Sequence, residues 1–243
     1  MKEIKILNLF PDLLDLYSDY GNIKILKYRL EKRNINVIID TYKIGDAFPS
    51  LLDYDLIFLG GGSLNNQETI YSNLINYKDD FKKAIEVGIF LLLIDSSYQL
   101  FGSIEEDDNM KYKGLEILPY KTKLIERKPI IGNVTLDVDF ENLKTRIYGF
   151  ENHSSEVSNN SSPLGTVLEG IGNDSNALSE GYFNKNVLAT FLHGPLLSLN
   201  PELSDYIIKY CLNRKYNEQI SLDPLDDTFE NQARSQKSKN SNL

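Results

Sequence analysis

Apolar residues fall along this chain in two rhythms. Continuous runs occur at Ile4-Lys5-Ile6-Leu7-Asn8-Leu9, Asn36-Val37-Ile38-Ile39-Asp40, Asp55-Leu56-Ile57-Phe58-Leu59 and Ile89-Phe90-Leu91-Leu92-Leu93-Ile94. Runs this short and this apolar, separated by helical segments, predict parallel strands buried on both faces. Between them, Ile23, Leu26 and Leu30 share one helical face while Lys24, Lys27, Lys32 and Arg33 occupy the other. That pattern predicts an amphipathic helix with Asn22 as its N-cap. A second helix is expected over about 67–87.

Beyond about residue 103 the rhythm changes. Short strands such as Thr145–Phe150 and Val187–Leu192 alternate with polar turns, and a loop is expected at Asn159-Asn160-Ser161-Ser162-Pro163. Asn200-Pro201 opens a last helix, with Asn as cap and Pro at its first position. Leu203, Ile207, Tyr210 and Cys211 line the apolar face of that helix. From about Asn217 the chain turns polar. The expectation is one α/β domain over 1–215 and a polar extension over 216–243, its end frayed.

Composition narrows the function. With 26 Lys+Arg against 35 Asp+Glu, the net charge of −9 disfavours nucleic acid or an anionic membrane as partner. No apolar run approaches the ~20 residues of a membrane span and no signal-peptide pattern is present, so a cytoplasmic protein is expected. One cysteine among 243 residues excludes an internal disulfide or a Cys-built metal cluster, and two histidines make a metal site improbable.

Three places join a strand end to small and polar residues. Gly60-Gly61-Gly62-Ser63 lets backbone N–H groups approach a ligand, or is simply a tight turn. Asp95-Ser96-Ser97-Tyr98-Gln99 follows the most apolar strand and has the layout of a nucleophile elbow, with Asp95 at the turn. The alternative is that Asp95 only caps the next helix. His193, in Phe191-Leu192-His193-Gly194-Pro195, is a candidate general base or a structural histidine. His153 in Glu151-Asn152-His153 reads as a hydrogen-bonding residue at a rim. No Walker loop or Gly-x-Ser-x-Gly frame is present.

The ordered series is more specific than its parts. It runs Phe10-Pro11-Asp12…Asp19-Tyr20-Gly21-Asn22, Gly60-Gly61-Gly62…Gln67, Tyr98-Gln99-Leu100-Phe101-Gly102, Gly149-Phe150-Glu151-Asn152-His153, Gly170-Ile171-Gly172-Asn173, Glu180-Gly181, and Leu192-His193-Gly194-Pro195 with Asn200-Pro201. From about Lys5 to Arg234 it resembles the CobB/CobQ-like class I glutamine amidotransferases, and among them the glutaminase subunits of lipid II isoglutaminyl synthases. The resemblance implies a flavodoxin-like, mostly parallel sheet with helices on both faces and some antiparallel strands in the C-terminal half.

It also implies a Cys nucleophile and a His base that hydrolyse glutamine. The ammonia passes to a Mur-ligase-like synthetase subunit, a heterodimeric partner that uses ATP to amidate D-glutamate of the peptidoglycan precursor. By position, His193 matches the catalytic histidine. Gly61 and the Ser96 amide match the oxyanion hole, and Gln67 and Gln99 lie beside the glutamine site, with Asn152 and His153 at its rim. No cofactor or metal is implied in this chain. The family elbow reads Cys-Gly-Gly-Tyr-Gln, whereas this chain reads Asp95-Ser96-Ser97-Tyr98-Gln99.

A carboxylate attacks an unactivated amide poorly, and losing a triad nucleophile costs about 10⁶-fold in rate. The expectation is therefore a degenerate, non-catalytic or regulatory subunit. The alternatives are a working glutaminase with an unorthodox nucleophile, or a binding protein unconnected with peptidoglycan.

Overall fold

The computed structural model describes residues 2–105, 112–125, 128–140, 143–158, 161–176 and 178–240. Its first half is β1 (Glu3–Leu9), α1 (Gly21–Glu31), β2 (Asn36–Tyr42), β3 (Leu56–Leu59), α2 (Leu64–Leu74), α3 (Lys78–Glu86), β4 (Phe90–Ile94) and α4 (Ser96–Phe101). The second half supplies β5 (Ser103–Ile104), β6 (Lys121–Leu124), β7 (Ile130–Phe140), β8 (Leu143–His153), β9 (Ser155–Ser158), β10 (Gly165–Glu169), β11 (Ser179–Glu180), β12 (Tyr182–Asn184) and β13 (Val187–Thr190). Helices α5 (Pro201–Tyr216) and α6 (Thr228–Asn240) follow.

The main sheet has the order β12-β13-β4-β3-β1-β2, parallel throughout except for β12 against β13. Side chains alternate across a strand, so each apolar run feeds two cores. Leu7, Leu9, Ile57, Leu59, Leu91 and Leu93 pack on one face with Ile70, Leu74, Phe81 and Ala84 of α2 and α3. Ile4, Ile6, Leu56, Phe58, Leu92 and Ile94 pack on the other with Ile23, Leu26 and Leu30 of α1 and Leu203, Ile207 and Cys211 of α5. That is why the runs of β1, β3 and β4 are continuous, whereas β2, expected to be buried on both faces, is an edge strand and mostly exposed or half-buried. The antiparallel strands form two smaller sheets, β11-β10-β7-β8 and β5-β6-β9.

Several local expectations change. Asn22 lies inside the first turn of α1, and Tyr20 holds the N-cap position. The Asn22 side chain is instead spent on tertiary contacts: it donates to the Asp19 carbonyl and accepts from the Leu197 N–H. The single helix expected over 67–87 is two, parted by a 3₁₀ turn at Ile75–Tyr77. Thr145–Phe150 is the middle of an eleven-residue strand in the long β7–β8 hairpin. Asn200 sits at the N-cap of α5 without a side-chain cap, because its amide bonds both backbone groups of Tyr148.

The polar stretch after Asn217 carries α6, where Arg234 bonds the Leu199 carbonyl and Glu202. Asn159, Asn160, Ser241 and Asn242, in the expected loop and frayed end, lie outside the described residues. Among the described residues no helix is long and apolar enough to cross a membrane.

Candidate active site

The parallel strands end on one rim, where an α/β sheet places its ligands. β4 delivers Asp95 there in a sharp turn, with φ 53° and ψ −112°. Positive φ is costly for a residue with a Cβ, and its persistence marks a position held by its surroundings. The Asp95 N–H donates to the Thr190 carbonyl at 2.7 Å. Asp95 occupies the N-cap position of α4, but its side chain makes no capping bond. The elbow geometry is present and the simple cap is not.

His193, just past β13, donates its backbone N–H to the Phe150 carbonyl. Its ring lies between two carboxylates. Nδ1 is 3.4 Å from Asp19 Oδ1, and Nε2 is 3.7 Å from Asp95 Oδ1. Burial works against the imidazolium, but Asp19 and Asp95 outweigh it and hold His193 above its ordinary value. Burial pushes the Asp95 carboxyl up to about 6, with the His193 charge pulling the other way. A third acid, Glu180, accepts from Thr190 Oγ1 at 2.7 Å and the Phe191 N–H at 2.8 Å. Burial pushes it to about 8 despite those bonds.

The glycine loop after β3 is closely engaged. A Cβ on Gly61 would stand 2.8 Å from Asp95 Oδ2 and 3.0 Å from Asp19 Oδ2, so only glycine admits both acids. The Gly61 N–H donates to Asp19 Oδ2 at 2.8 Å. The Gly62 N–H donates to Ser96 Oγ at 2.7 Å, and Ser97 Oγ donates to the Gly60 carbonyl at 2.7 Å. Both serine hydroxyls therefore stitch the elbow to the glycine loop. The Gly61 amide, expected to face a developing oxyanion, is taken by a carboxylate.

A cavity of about 220 Å³ opens beside the elbow. Asp95, Gln67, Gln99, Asn152 and His153 line it, whereas His193, Gly61 and Ser96 stand behind that lining. Gln67 accepts from the Tyr112 hydroxyl, and Asn152 Nδ2 donates to the Tyr17 hydroxyl at 2.6 Å. The Tyr17 ring covers His193, with centroids 4.7 Å apart. His153 is buried rather than at an open rim, stacked on Phe191 at 3.8 Å with Nδ1 2.7 Å from the Ser155 carbonyl.

Sequence reasoning missed Asp19, Tyr17, Glu151 and Glu180. All four stand in or beside the quoted motif series, but nothing local to them says which side chain they meet. A larger hollow of about 610 Å³ on α5, lined by Glu202, Asp205, Tyr206 and Arg214 among others, lies away from this chemistry. Among the described residues no group of three or more His, Cys, Asp or Glu side chains is placed to hold a metal ion. Cys211 is buried on α5, its thiol near the Asp55 carbonyl, and burial raises its pKa far above the thiol range. It cannot supply a nucleophile to this rim.

An elbow residue, a histidine oriented by an acid, and a glycine loop at parallel strand ends are the parts of an amidotransferase site. Residues 5–201 match the CobB/CobQ-like glutamine amidotransferase domain. The chain belongs to that family. The GatD subunit of the glutamine-hydrolysing lipid II isoglutaminyl synthase of Staphylococcus aureus is 36% identical over 217 residues, 88% of this chain and 87% of that protein. The Streptococcus pneumoniae GatD subunit is 32% identical over 228 residues, 93% of this chain and 86% of that one.

The fold agrees. The structure of PurLQS from Thermotoga maritima superposes with a TM-score of 0.58 at 16% identity, covering 90% of this chain and all of the other. A crystal structure of a glutamine amidotransferase gives 0.54 at 15%, covering 84% and 98%. This CobB/CobQ-like chain thus has the family's mixed α/β architecture, antiparallel strands included.

Proposed function

We propose that this chain is the glutaminase-like subunit of a lipid II isoglutaminyl synthase in which glutamine hydrolysis is lost or very weak. Its partner in this reading is a Mur-ligase-like synthetase that holds ATP and amidates D-glutamate of the peptidoglycan precursor from free ammonia. The GatD relatives support the system. The elbow supports the loss: Asp95 occupies the position where the family resemblance implies cysteine, and its charge sits where an oxyanion would have to develop. The N–H groups of Gly61 and Gly62 are already bonded to Asp19 and Ser96.

Glutamate release from glutamine, by the chain alone and with the synthetase and ATP, tests the reading. The expected result is no turnover with glutamine and amidation with ammonium chloride. Turnover above about 1 s⁻¹, near the low end of enzyme rates, that disappears in Asp95→Ala would overturn it. That outcome would favour the second reading, a working glutaminase in which the Asp19–His193–Asp95 alignment serves an unorthodox nucleophile.

A further inference from the structure

Of the buried acids here Asp95 lines the cavity and Asp19, Glu151 and Glu180 lie deeper, none more than 6% exposed, and among the described residues no lysine or arginine lines it. His193 answers one of these charges, and Glu180 keeps its proton near neutrality.

Buried lining atoms without partners point the same way. Gln99 is 5% exposed and its Oε1 accepts from no group among the described residues. His153 is 4% exposed, with Nδ1 against the Ser155 carbonyl and Nε2 without a hydrogen-bond partner among the described residues. That Nε2 is 3.5 Å from Glu151 Oε2. Glu151 itself already accepts from the Ile171 and Gly172 N–H groups at 2.9 and 2.8 Å.

We propose that this cavity binds the ammonium ion, with the Asp95 carboxylate and the Gln99 carbonyl oxygen as its principal acceptors. Ammonium carries one positive charge and offers four N–H donors, which suits the Asp95 carboxylate and the unpartnered Gln99 carbonyl oxygen in the lining of this cavity. A hard alkali cation gains little from imidazole nitrogen. The inference rests on the reading of the chain as a non-hydrolysing subunit. It also gives the altered elbow a use, since Asp95 holds the nitrogen source that a cysteine at this position would release from glutamine.

The test is a titration of the purified full-length chain with ¹⁵N-labelled ammonium chloride at fixed ionic strength, read by the ammonium ¹⁵N line width and by the melting temperature. Saturable broadening and a rising melting temperature are expected. Asp95→Asn should weaken the apparent affinity about tenfold or more, since it removes a charged acceptor and Asn tolerates positive φ. Gln99→Met should weaken it by about tenfold, and serves if Asp95→Asn does not fold.

Non-saturable broadening, unchanged affinity in the folded variants, or an equal melting shift with potassium chloride would overturn the proposal. Glutamate release measured on the same preparation separates the two ideas. A chain that neither releases glutamate nor binds ammonium removes the cation site and leaves the non-hydrolysing reading standing.

Discussion

The Asp95 carboxylate and the His193 ring face each other, Oδ1 3.7 Å from Nε2, with Asp19 on the far side of the ring. A histidine flanked by two acids is therefore in place, and so is the strained turn that lifts the elbow residue above the sheet. In the non-hydrolysing reading the departure lies chiefly at the elbow, where a carboxylate attacks an amide poorly and Ser96 and Ser97 bind the turn to the glycine loop.

This division predicts how activity returns. Asp95→Cys alone should restore little glutaminase, because Ser96 and Ser97 still bind the elbow to the glycine loop. The triple variant Asp95→Cys, Ser96→Gly, Ser97→Gly should exceed it by roughly 10²-fold, the scale of a small misplacement of a reacting group. Glutamate release under saturating glutamine measures both. Equal rates would show that the serines do not obstruct the site.

Tyr17 acts as a cover over His193. Both Tyr17 and Ser18 have positive φ, 63° and 62°, and the ring is held by its stack on His193 and by the Asn152 amide. Tyr17→Ala removes these contacts, worth on the order of 1.4 kcal/mol together, and should speed modification of His193 by diethyl pyrocarbonate about tenfold. His153, the one other histidine, is stacked on Phe191 and provides an internal control. Equal acceleration at both rings would point to general loosening and reject the cover.

Much of this was legible in the sequence, for physical reasons that differ by element. The strands β1, β3 and β4 are continuous apolar runs because both their faces are buried, so composition alone locates them. Asp95 and His193 follow such runs directly, which fixes them to strand ends. Asp19 could not be paired with His193 from sequence, since 174 residues separate them and only the parallel order brings the β1 loop beside β13. The N-caps at Asn22 and Asn200 misled for a related reason. Their amides have the right chemistry for a cap, and tertiary partners at Leu197 and Tyr148 compete for it.

The C-terminal segment is pinned by a charge cluster. Arg29 Nε is 2.7 Å from Asp205 and its Nη1 2.6 Å from Asp227, while Arg33 Nη2 is 2.7 Å from Asp205. Arg29 is 2% exposed. Asp205→Ala strips a partner from both arginines and should cost about 3 kcal/mol in urea unfolding, the lower end for breaking a buried pair, because Asp205 itself is partly exposed. Glutamine-site geometry should be untouched, so the His193 modification rate should not change. A cost below about 0.5 kcal/mol would place the cluster with ordinary surface pairs.

Glu180 sets a pH dependence of stability with a definite sign. Its carboxyl titrates near 8 in the folded chain, raised from 4.5 by burial. Between those values the folded state holds a proton that the unfolded state has released, so stability falls as pH rises through this window. Asp95, raised from 3.8 to about 6, adds a slope of the same sign at lower pH. Glu180→Gln removes the first slope while keeping an acceptor for the Phe191 N–H. The variant should therefore gain on the native chain between pH 5 and pH 8 by on the order of 3 kcal/mol, read from urea midpoints at the two pH values. A constant difference between the two proteins across that range would mean that Glu180 is already ionised at pH 5 in the folded chain, and would add its charge to that of the neighbouring acids.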